Sequence, residues 1–285
     1  MTSQHAPTAV GRRPDDIVVS SWMELCERVY DHSWQPDIRH FRANYVFRGL
    51  SDISYPLNTS LQRLGGPYPQ LEYHLLRNFK KYGTADNRDA TQSDWWWWAV
   101  AQHHGLPTRL LDWTYSPFVA MHFVTANMQQ YDRDGVIWAM EFVKTQQHLP
   151  ARLRTVLEEA GAKVFTAGML ERAVRNIGDL ASLPREAGEE ERPYCLFFEP
   201  PSLDARIVNQ FALFSVLSDV TMRLDDWLLN HPQLWRRIVI PKELKWEVRD
   251  KLDQANITER ILLPGLDGLA MWLARHYSPS RTPAE

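Results

Sequence analysis

The sequence predicts an α+β protein, because its strand-like and helix-like segments follow one another in no regular order. Short apolar runs at 135–142, 195–199 and 236–240 have the length and β-branched or aromatic content of strands, and helical patterns of varied length separate them. A doubly wound parallel sheet would instead alternate strand and helix regularly. We therefore expect a small split antiparallel or mixed β-sheet core that is flanked by helices.

Length and composition are those of one large domain or of two small ones. The chain has 285 residues, of which 44% are hydrophobic, and this is enough to bury a sizeable core. Residues 1–17 and 278–285 are polar, so we expect a flexible N-terminal arm and a flexible tail. Between them we expect a single domain over residues 18–277, with a charged helical insertion at about 143–194.

Charge, cysteine content and hydropathy indicate the cellular compartment and limit the classes of partner. The net charge of −3 provides no global basic field for nucleic acid, although a local patch is compatible with it. Two cysteines in a chain of this length favour a reducing compartment over a disulfide framework. No apolar run reaches the roughly 20 residues of a membrane span. We expect a cytoplasmic protein without a membrane segment, and the sequence leaves its oligomeric state open.

The first half of the chain has two helix signals and one strand of special interest. Residues 44–50 predict a strand with Arg48 near its end, and Gly49 would let a second backbone or a ligand approach closely. Residues 71–82 predict a helix with an apolar face. Four consecutive tryptophans at 95–98 cannot all face one way on a helix, so we expect two or three in the core. That apolar face comprises Leu71, Leu75, Leu76 and Phe79.

The segment 102–114 concentrates the side chains that bind ligands or perform acid–base chemistry. Gly105 is placed to end the preceding helix, and Ser116 is placed to cap the next one. The intervening residues must cross between the helices in extended or turn form, and loops held by rigid elements often carry function. The candidate binding residues in this segment are Gln102, His103, Thr108, Arg109 and Asp112.

The second half of the chain predicts further strands at 195–199, 210–217 and 236–240, and helices at 241–254 and 266–277. It also contributes two candidate site residues, Gln210 at a strand start and Glu259 near a helix start. No glycine-rich dinucleotide motif, P-loop, zinc-hydrolase motif or lipase-type motif occurs.

The residue types that remain suit a phosphorylated sugar ligand. The guanidinium groups of Arg48 and Arg109 match phosphate oxygens, and a carboxylate suits a developing sugar cation. Adjacent histidines on a helix diverge by about 100°, so we predict no metal site at 103–104. Structural interpretations stay open. Arg109 could pair with Asp112, and Glu259 could be a first-turn residue of a short helix, where the helix dipole favours a negative charge.

Five segments together resemble the FRG domain family, and the string at 102–117 carries most of the resemblance. Two positions differ from the family pattern, with Ala212 where glycine is usual and Gly265 where aspartate is usual. The resemblance covers roughly residues 20–276 with an unmatched middle. The segments are Phe47–Gly49, Tyr55–Arg63, Gln102–Pro117, Asn209–Phe214 and Ile257–Gly268.

The resemblance implies an ADP-ribosyltransferase-like fold and activity, because Phe47–Gly49 is similar to the aromatic-Arg-Gly motif of those enzymes. Arg48 would then hold the phosphate and ribose of NAD, and Glu259 would be the late catalytic glutamate. The binding residues would be Gln102, His103, Thr108, Arg109, Asp112 and Gln210. The acceptor would be RNA, DNA or a protein, since family members look like bacterial toxin or phage-defence components. No metal is implied.

Two other functions are compatible with the same residues, although the sequence favours the NAD-dependent enzyme. A non-catalytic module would bind a nucleotide or nucleic acid with arginines on phosphate and a tryptophan on a base. A nuclease or phosphodiesterase would use His103 as general acid or base. Replacement of Glu259 or of His103 should separate the three.

Overall fold

The computed structural model describes residues 11–42, 44–83, 91–184, 192–202 and 204–278, and it is a mixed α/β fold as predicted. The strands are β1 Ile17–Val18, β2 Trp34–Gln35, β3 His40–Phe41, β4 Tyr45–Leu50, β5 Leu110–Thr114, β6 Gly135–Glu141, β7 Phe165–Thr166, β8 Cys195–Glu199, β9 Ala212–Leu217 and β10 Trp235–Ile240. The α-helices are α1 Trp22–Tyr30, α2 Tyr68–Gly83, α3 Asp94–His103, α4 Pro117–Thr125, α5 Ala151–Glu159, α6 Ala167–Ala173, α7 Ala205–Asn209, α8 Leu224–Leu229, α9 Lys245–Gln254, α10 Glu259–Leu262 and α11 Leu266–His276.

The chain divides into two compact units that alternate along the sequence. Unit 1 draws on Met1–Pro56, Ser116–Met140 and Trp235–Glu285, and unit 2 on Leu57–Tyr115 and Glu141–Leu234. The single domain over 18–277 stays a prediction. Most of the predicted arm and tail lies outside the described residues. Within the part of the chain that is described, no helix has both the length and the apolar character to cross a membrane.

Unit 1 contains a mixed set of strands in the order β1-β10-β6-β4. Strands β1 and β10 are parallel, whereas β10 and β6 are antiparallel with Ile238 opposite Ile137. Helices α1, α4 and α9 supply the other side of its core, because each places apolar residues at helical spacing. The core includes Leu25, Val29, Phe47, Met121, Val124, Ile137, Ile238, Val248 and Leu252. A separate antiparallel pair is formed by β2 and β3.

Gly49 permits the contact between β4 and α4. A β-carbon at this position would lie 1.9 Å from the backbone oxygen of Ala120, so no larger residue fits without displacing the helix. The prediction of a close backbone approach at Gly49 is thus confirmed. The glycine of the Phe47–Gly49 triplet therefore has a packing function.

Unit 2 has strands in the order β5-β9-β8-β7, of which only β7 and β8 run parallel. Trp95, Trp97 and Trp98 are buried in its core, and Trp96 packs partly against it, as the helical spacing predicts. The stretch predicted as an insertion also reaches this core. It contributes Leu149, Leu153, Leu157, Phe165, Leu170, Ile177 and Leu180.

Two local predictions were wrong in detail. Helix α2 buries Glu72 and Leu76, while Leu71, Leu75 and Phe79 of the predicted apolar face are only half-buried and line a surface groove. The helix is turned toward Glu72 because that carboxylate pairs with a buried arginine. Strand β9 begins at Ala212 instead of Gln210, because residues 205–209 form the short helix α7.

Candidate functional site

The central segment, residues 102–114, leaves α3 through a tight helix end. Gly105 adopts a left-handed backbone with φ of +79°, and the amide of Leu106 donates to the carbonyl of Ala101 at 2.9 Å. This six-to-one hydrogen bond closes the last turn and turns the chain toward β5. The prediction that Gly105 ends the helix is confirmed.

Gln102, Thr108 and Asp112 form one hydrogen-bonded cluster within unit 2. The Thr108 hydroxyl donates to Gln102 Oε1 at 2.5 Å, so Gln102 Nε2 is directed to Asp112 Oδ2, which it reaches at 2.8 Å. Thr108 is fully buried, Gln102 is half-buried and Asp112 is exposed. A buried hydroxyl therefore orients an amide, and the amide fixes an exposed carboxylate.

Arg109 points away from this cluster and forms a buried ion pair with Glu72. Its Nε donates to Glu72 Oε1 at 2.6 Å, and its Nη2 donates to Glu72 Oε2. The two residues are 5% and 3% exposed. The structural interpretation of Arg109 named Asp112 as its partner, but the structure pairs it with Glu72. Arg109 can reach a ligand phosphate only if Glu72 releases it, and a buried carboxylate without its partner is costly.

His103 forms a separate pair with Asp204. Its Nε2 lies 2.6 Å from Asp204 Oδ2, and Asp204 Oδ1 accepts the amide of Ile207 as the N-cap of α7. The His103 side chain is 12% exposed and that of Asp204 is 44% exposed. Sequence reasoning missed Asp204. An aspartate directly before a short helical run is an N-cap signal, but nothing local links it to His103.

Gln210 follows α7 and contributes its backbone to the same part of unit 2. Its carbonyl accepts the Thr114 hydroxyl at 2.7 Å. The next residue, Phe211, has a φ of +47° and is 61% exposed, which is unusual for an aromatic residue. The binding role of Gln210 stays a prediction.

Glu259 lies in unit 1 and is held from both sides of its carboxylate. Arg275 Nε donates to Oε1 at 2.7 Å and Arg275 Nη2 donates to Oε2 at 2.8 Å. Burial raises the pKa of Glu259, but the hydrogen bonds from Arg275 and from a backbone amide, together with the charges of Arg275 and Arg249, outweigh it, and the pKa lies below its usual value. The carboxylate is 2% exposed, so it could polarise a ribose hydroxyl only after it leaves Arg275.

The pair continues into a wider buried network of unit 1. Arg275 also donates to both oxygens of Asp253, and Arg249 donates to Asp253 Oδ1 at 3.0 Å. Arg249 Nη1 lies 2.8 Å from His122 Nδ1, so the imidazole accepts this bond in its neutral form. Burial and the nearby Arg249 charge lower the pKa of His122 to about 4. The network thus satisfies its charges internally.

Arg48 lies on β4 of unit 1 and is half-buried, between the buried Phe47 and Gly49. Its predicted role in binding phosphate is not tested by this placement. Among the residues that the structure describes, no group of three or more histidine, cysteine, aspartate or glutamate side chains could hold a metal ion.

A comparison with protein-family models finds a match for part of the chain. The family model of the FRG domain matches residues 43–133, which include Phe47–Gly49 and the whole central segment but not Gln210 or Glu259. Neither a curated protein nor a solved structure matches the chain. The match agrees with the motifs of the sequence itself, and residues 43–133 of this chain are similar to the FRG domain.

Proposed function

We propose that this protein is an ADP-ribosyltransferase-like enzyme with NAD as its substrate and a nucleic acid or protein as acceptor. The proposal places the reaction on a surface of unit 2 that we call the reaction surface, formed by Gln102, His103, Asp112 and Asp204. One observation carries it: consecutive residues of α3 orient an exposed carboxylate at 2.8 Å and an imidazole–carboxylate pair at 2.6 Å. A bacterial toxin or phage-defence effector would be the biological setting.

We propose that the carboxylate of Asp112 stabilises the transition state. Cleavage of the nicotinamide glycosidic bond develops positive charge on the ribose, and a fixed carboxylate stabilises that charge. Asp112 is exposed, and Gln102 already orients it. Glu259 was the residue predicted for this role, but its oxygens are both bonded to Arg275. Asp112 is exposed, so a ligand can approach its carboxylate from solvent.

We propose that His103 removes a proton from the acceptor. A hydroxyl or amine acceptor must lose a proton as it attacks, and a histidine is the usual base near neutral pH. The contact with Asp204 favours a proton on Nε2, so Nδ1 is the nitrogen that can accept the acceptor's proton. Asp204 is then a positioning residue.

The binding of NAD phosphate by Arg48 of unit 1 stays a prediction from the Phe47–Gly49 motif, and it is tested separately from the reaction surface. The planar guanidinium of Arg48 can donate two parallel hydrogen bonds to a phosphate, which a lysine cannot do. The half-buried position on a strand would limit its rotamers and keep it oriented. Arg48→Lys should therefore weaken NAD binding, as measured by calorimetry, even though the charge is retained.

Nicotinamide release tests the proposed reaction, with RNA, DNA and protein acceptors supplied in turn. Asp112→Asn should lower the rate by about 100-fold or more, because it removes the charge but keeps the shape and the contact with Gln102. Asp37→Asn is the matched control, since Asp37 is an exposed aspartate outside the reaction surface. Wild-type protein that binds NAD but releases no nicotinamide with any acceptor would contradict the proposal.

A second candidate is a nuclease or phosphodiesterase, and the His103–Asp204 pair favours it independently of NAD. Such an enzyme would cleave single-stranded RNA or DNA in the absence of NAD, and His103→Ala would abolish the cleavage. Asp112→Asn would leave it nearly unchanged. Binding of nucleic acid without cleavage and without NAD turnover would instead support the non-catalytic module.

A further inference from the structure

Helix α11 (Leu266–His276) is anchored to unit 1 along one narrow side. Its buried residues are Gly268 and Arg275, which lie seven positions apart and therefore on the same side of the helix. Gly268 lets α11 approach α10 closely, because a β-carbon there would lie 1.8 Å from the Leu263 carbonyl oxygen. Arg275 fixes the other end of the helix through its two hydrogen bonds to Glu259.

The opposite side of α11 carries exposed apolar residues, which we call the α11 stripe. They follow one another at intervals of four, three and four positions, so they lie within about 60° of each other around the helix. The stripe comprises Leu266 (81% exposed), Ala270, Leu273 (38% exposed) and Tyr277 (79% exposed). A surface helix normally presents charged and polar residues to solvent, and exposed apolar surface of this kind marks an interaction site.

The charges of the helix favour a protein partner over a lipid surface. A helix that lies on a membrane carries lysine or arginine beside its apolar face. The arginine of α11, Arg275, is buried against acidic side chains, and the helix contains no lysine. Its exposed ionisable side chains are Asp267 near the N-terminal end and His276 at the C-terminal end. A complementary partner would therefore be apolar in the middle and carry these groups in the reverse order.

A second copy of α11 in antiparallel orientation meets these requirements. When the first stripe residue of one copy lies opposite the last of the other, Ala270 lies opposite Leu273, so a small side chain faces a large one. The same arrangement brings the end with Asp267 to the level of the end with His276, and the two helix dipoles run in opposite directions. The intervals of the stripe are also those of the seam between two packed helices.

The length of α11 limits the strength of such an association. The helix has 11 residues and is about 16 Å long, so one helix pair buries less than the roughly 1,200–2,000 Å² of a standard stable interface. We therefore expect a weak dimer, with a dissociation constant of about 10–100 µM.

We propose that this protein forms a symmetric dimer in which the α11 stripes of two copies pack against each other in antiparallel orientation. Each copy presents the same residues to the other, as an interface with two-fold symmetry requires. The dimer does not depend on the proposed NAD reaction, so either proposal can fail alone.

Sedimentation velocity of the full chain at about 2–200 µM measures the association. Leu273→Glu places a charge in the middle of the stripe and should raise the dissociation constant by at least about tenfold. Met271→Glu is the matched control, because Met271 is 49% exposed on the same helix but lies about 160° away from Leu273. This variant should dimerise like the wild type. Both substitutions are at exposed positions, so the melting temperature of each variant should stay near that of the wild type.

Disulfide formation tests the antiparallel orientation. In this orientation, position 266 of one copy is next to position 277 of the other, but it is about 16 Å along the helix axis from the other copy's position 266. The double variant Leu266→Cys, Tyr277→Cys should therefore give a disulfide-linked dimer under mild oxidation. Leu266→Cys alone should not, and the native Cys26 and Cys195 are present in both variants.

Four results would overturn the proposal. The first is a wild-type protein that stays monomeric at about 200 µM. The second is a Leu273→Glu variant that dimerises as well as the wild type, and the third is an equal loss of dimer in Met271→Glu. The fourth is a Leu266→Cys variant that cross-links as readily as the double variant. A monomer that binds vesicles of phosphatidylcholine and phosphatidylserine would assign the stripe to a lipid surface instead.

Discussion

The central segment of unit 2 and the buried network of unit 1 contain the same kinds of side chain but use them differently. In unit 1, Arg275 and Glu259 are 6% and 2% exposed and bond to each other. In unit 2, Arg109 is buried in the same way against Glu72, while three residues further on Asp112 is exposed. Residue type alone therefore does not predict whether a charged side chain of this protein is buried or faces solvent.

The unit 1 network should show the largest effect on stability. Arg275→Ala leaves Glu259 and Asp253 without their shared cation in a buried site, which costs about 3–5 kcal/mol of unfolding free energy. Arg260→Ala is the control, because Arg260 is exposed and its described contact is a ring at 4.9 Å. Denaturant unfolding measures both variants. Equal losses would show that the network is not structural.

The Arg109–Glu72 pair should behave as a coupled unit. Arg109→Met alone leaves a buried carboxylate and should cost about 3 kcal/mol, measured as above. The double variant Arg109→Met, Glu72→Leu removes both charges and should recover most of that loss. If the double variant is no more stable than the single one, then Arg109 contributes through contacts other than Glu72.

Protonation of His122 should also lower the stability of the fold as the pH falls. Its pKa is about 4 in the fold and about 6.5 when exposed, so the unfolded state binds more protons between these values. The contribution of His122 is therefore complete above pH 6.5 and is lost as the pH falls toward 4, by up to about 3 kcal/mol. His122→Asn should flatten this slope. The same slope in wild type and variant would assign it to other groups.

The reaction surface should show the smallest effect on stability. Asp112→Asn keeps the size of an exposed side chain, so its unfolding free energy should change by less than about 0.5 kcal/mol. The same unfolding experiment as for Arg109→Met gives the comparison. A loss as large as that of Arg109→Met would mean that Asp112 is a structural residue.

Local signals in the sequence were sufficient for most elements. Ser116 caps α4, with its hydroxyl accepting the Val119 amide at 3.4 Å, and Gly105 ends α3. Both effects depend only on neighbouring residues, so they could be predicted. The strand predicted at 195–199 was found with those limits, since a short apolar run bounded by prolines has few alternatives.

Pairings between distant residues were not available from the sequence. Arg109 and Glu72 are 37 positions apart, and either residue could have paired elsewhere or faced solvent. His103 and Asp204 are further apart, and their contact depends on where α7 lies against α3. The turned face of α2 has the same origin, because packing around a buried charge overrode the apolar pattern.

We propose that Asp112, and not Glu259, is the reactive carboxylate. Nicotinamide release by Asp112→Asn and Glu259→Gln, each normalised to the folded fraction measured in the same sample, tests it most directly. We predict that Asp112→Asn is folded like the wild type and nearly inactive, whereas Glu259→Gln is less stable but active per folded molecule. A well-folded, inactive Glu259→Gln beside an active Asp112→Asn would contradict the account.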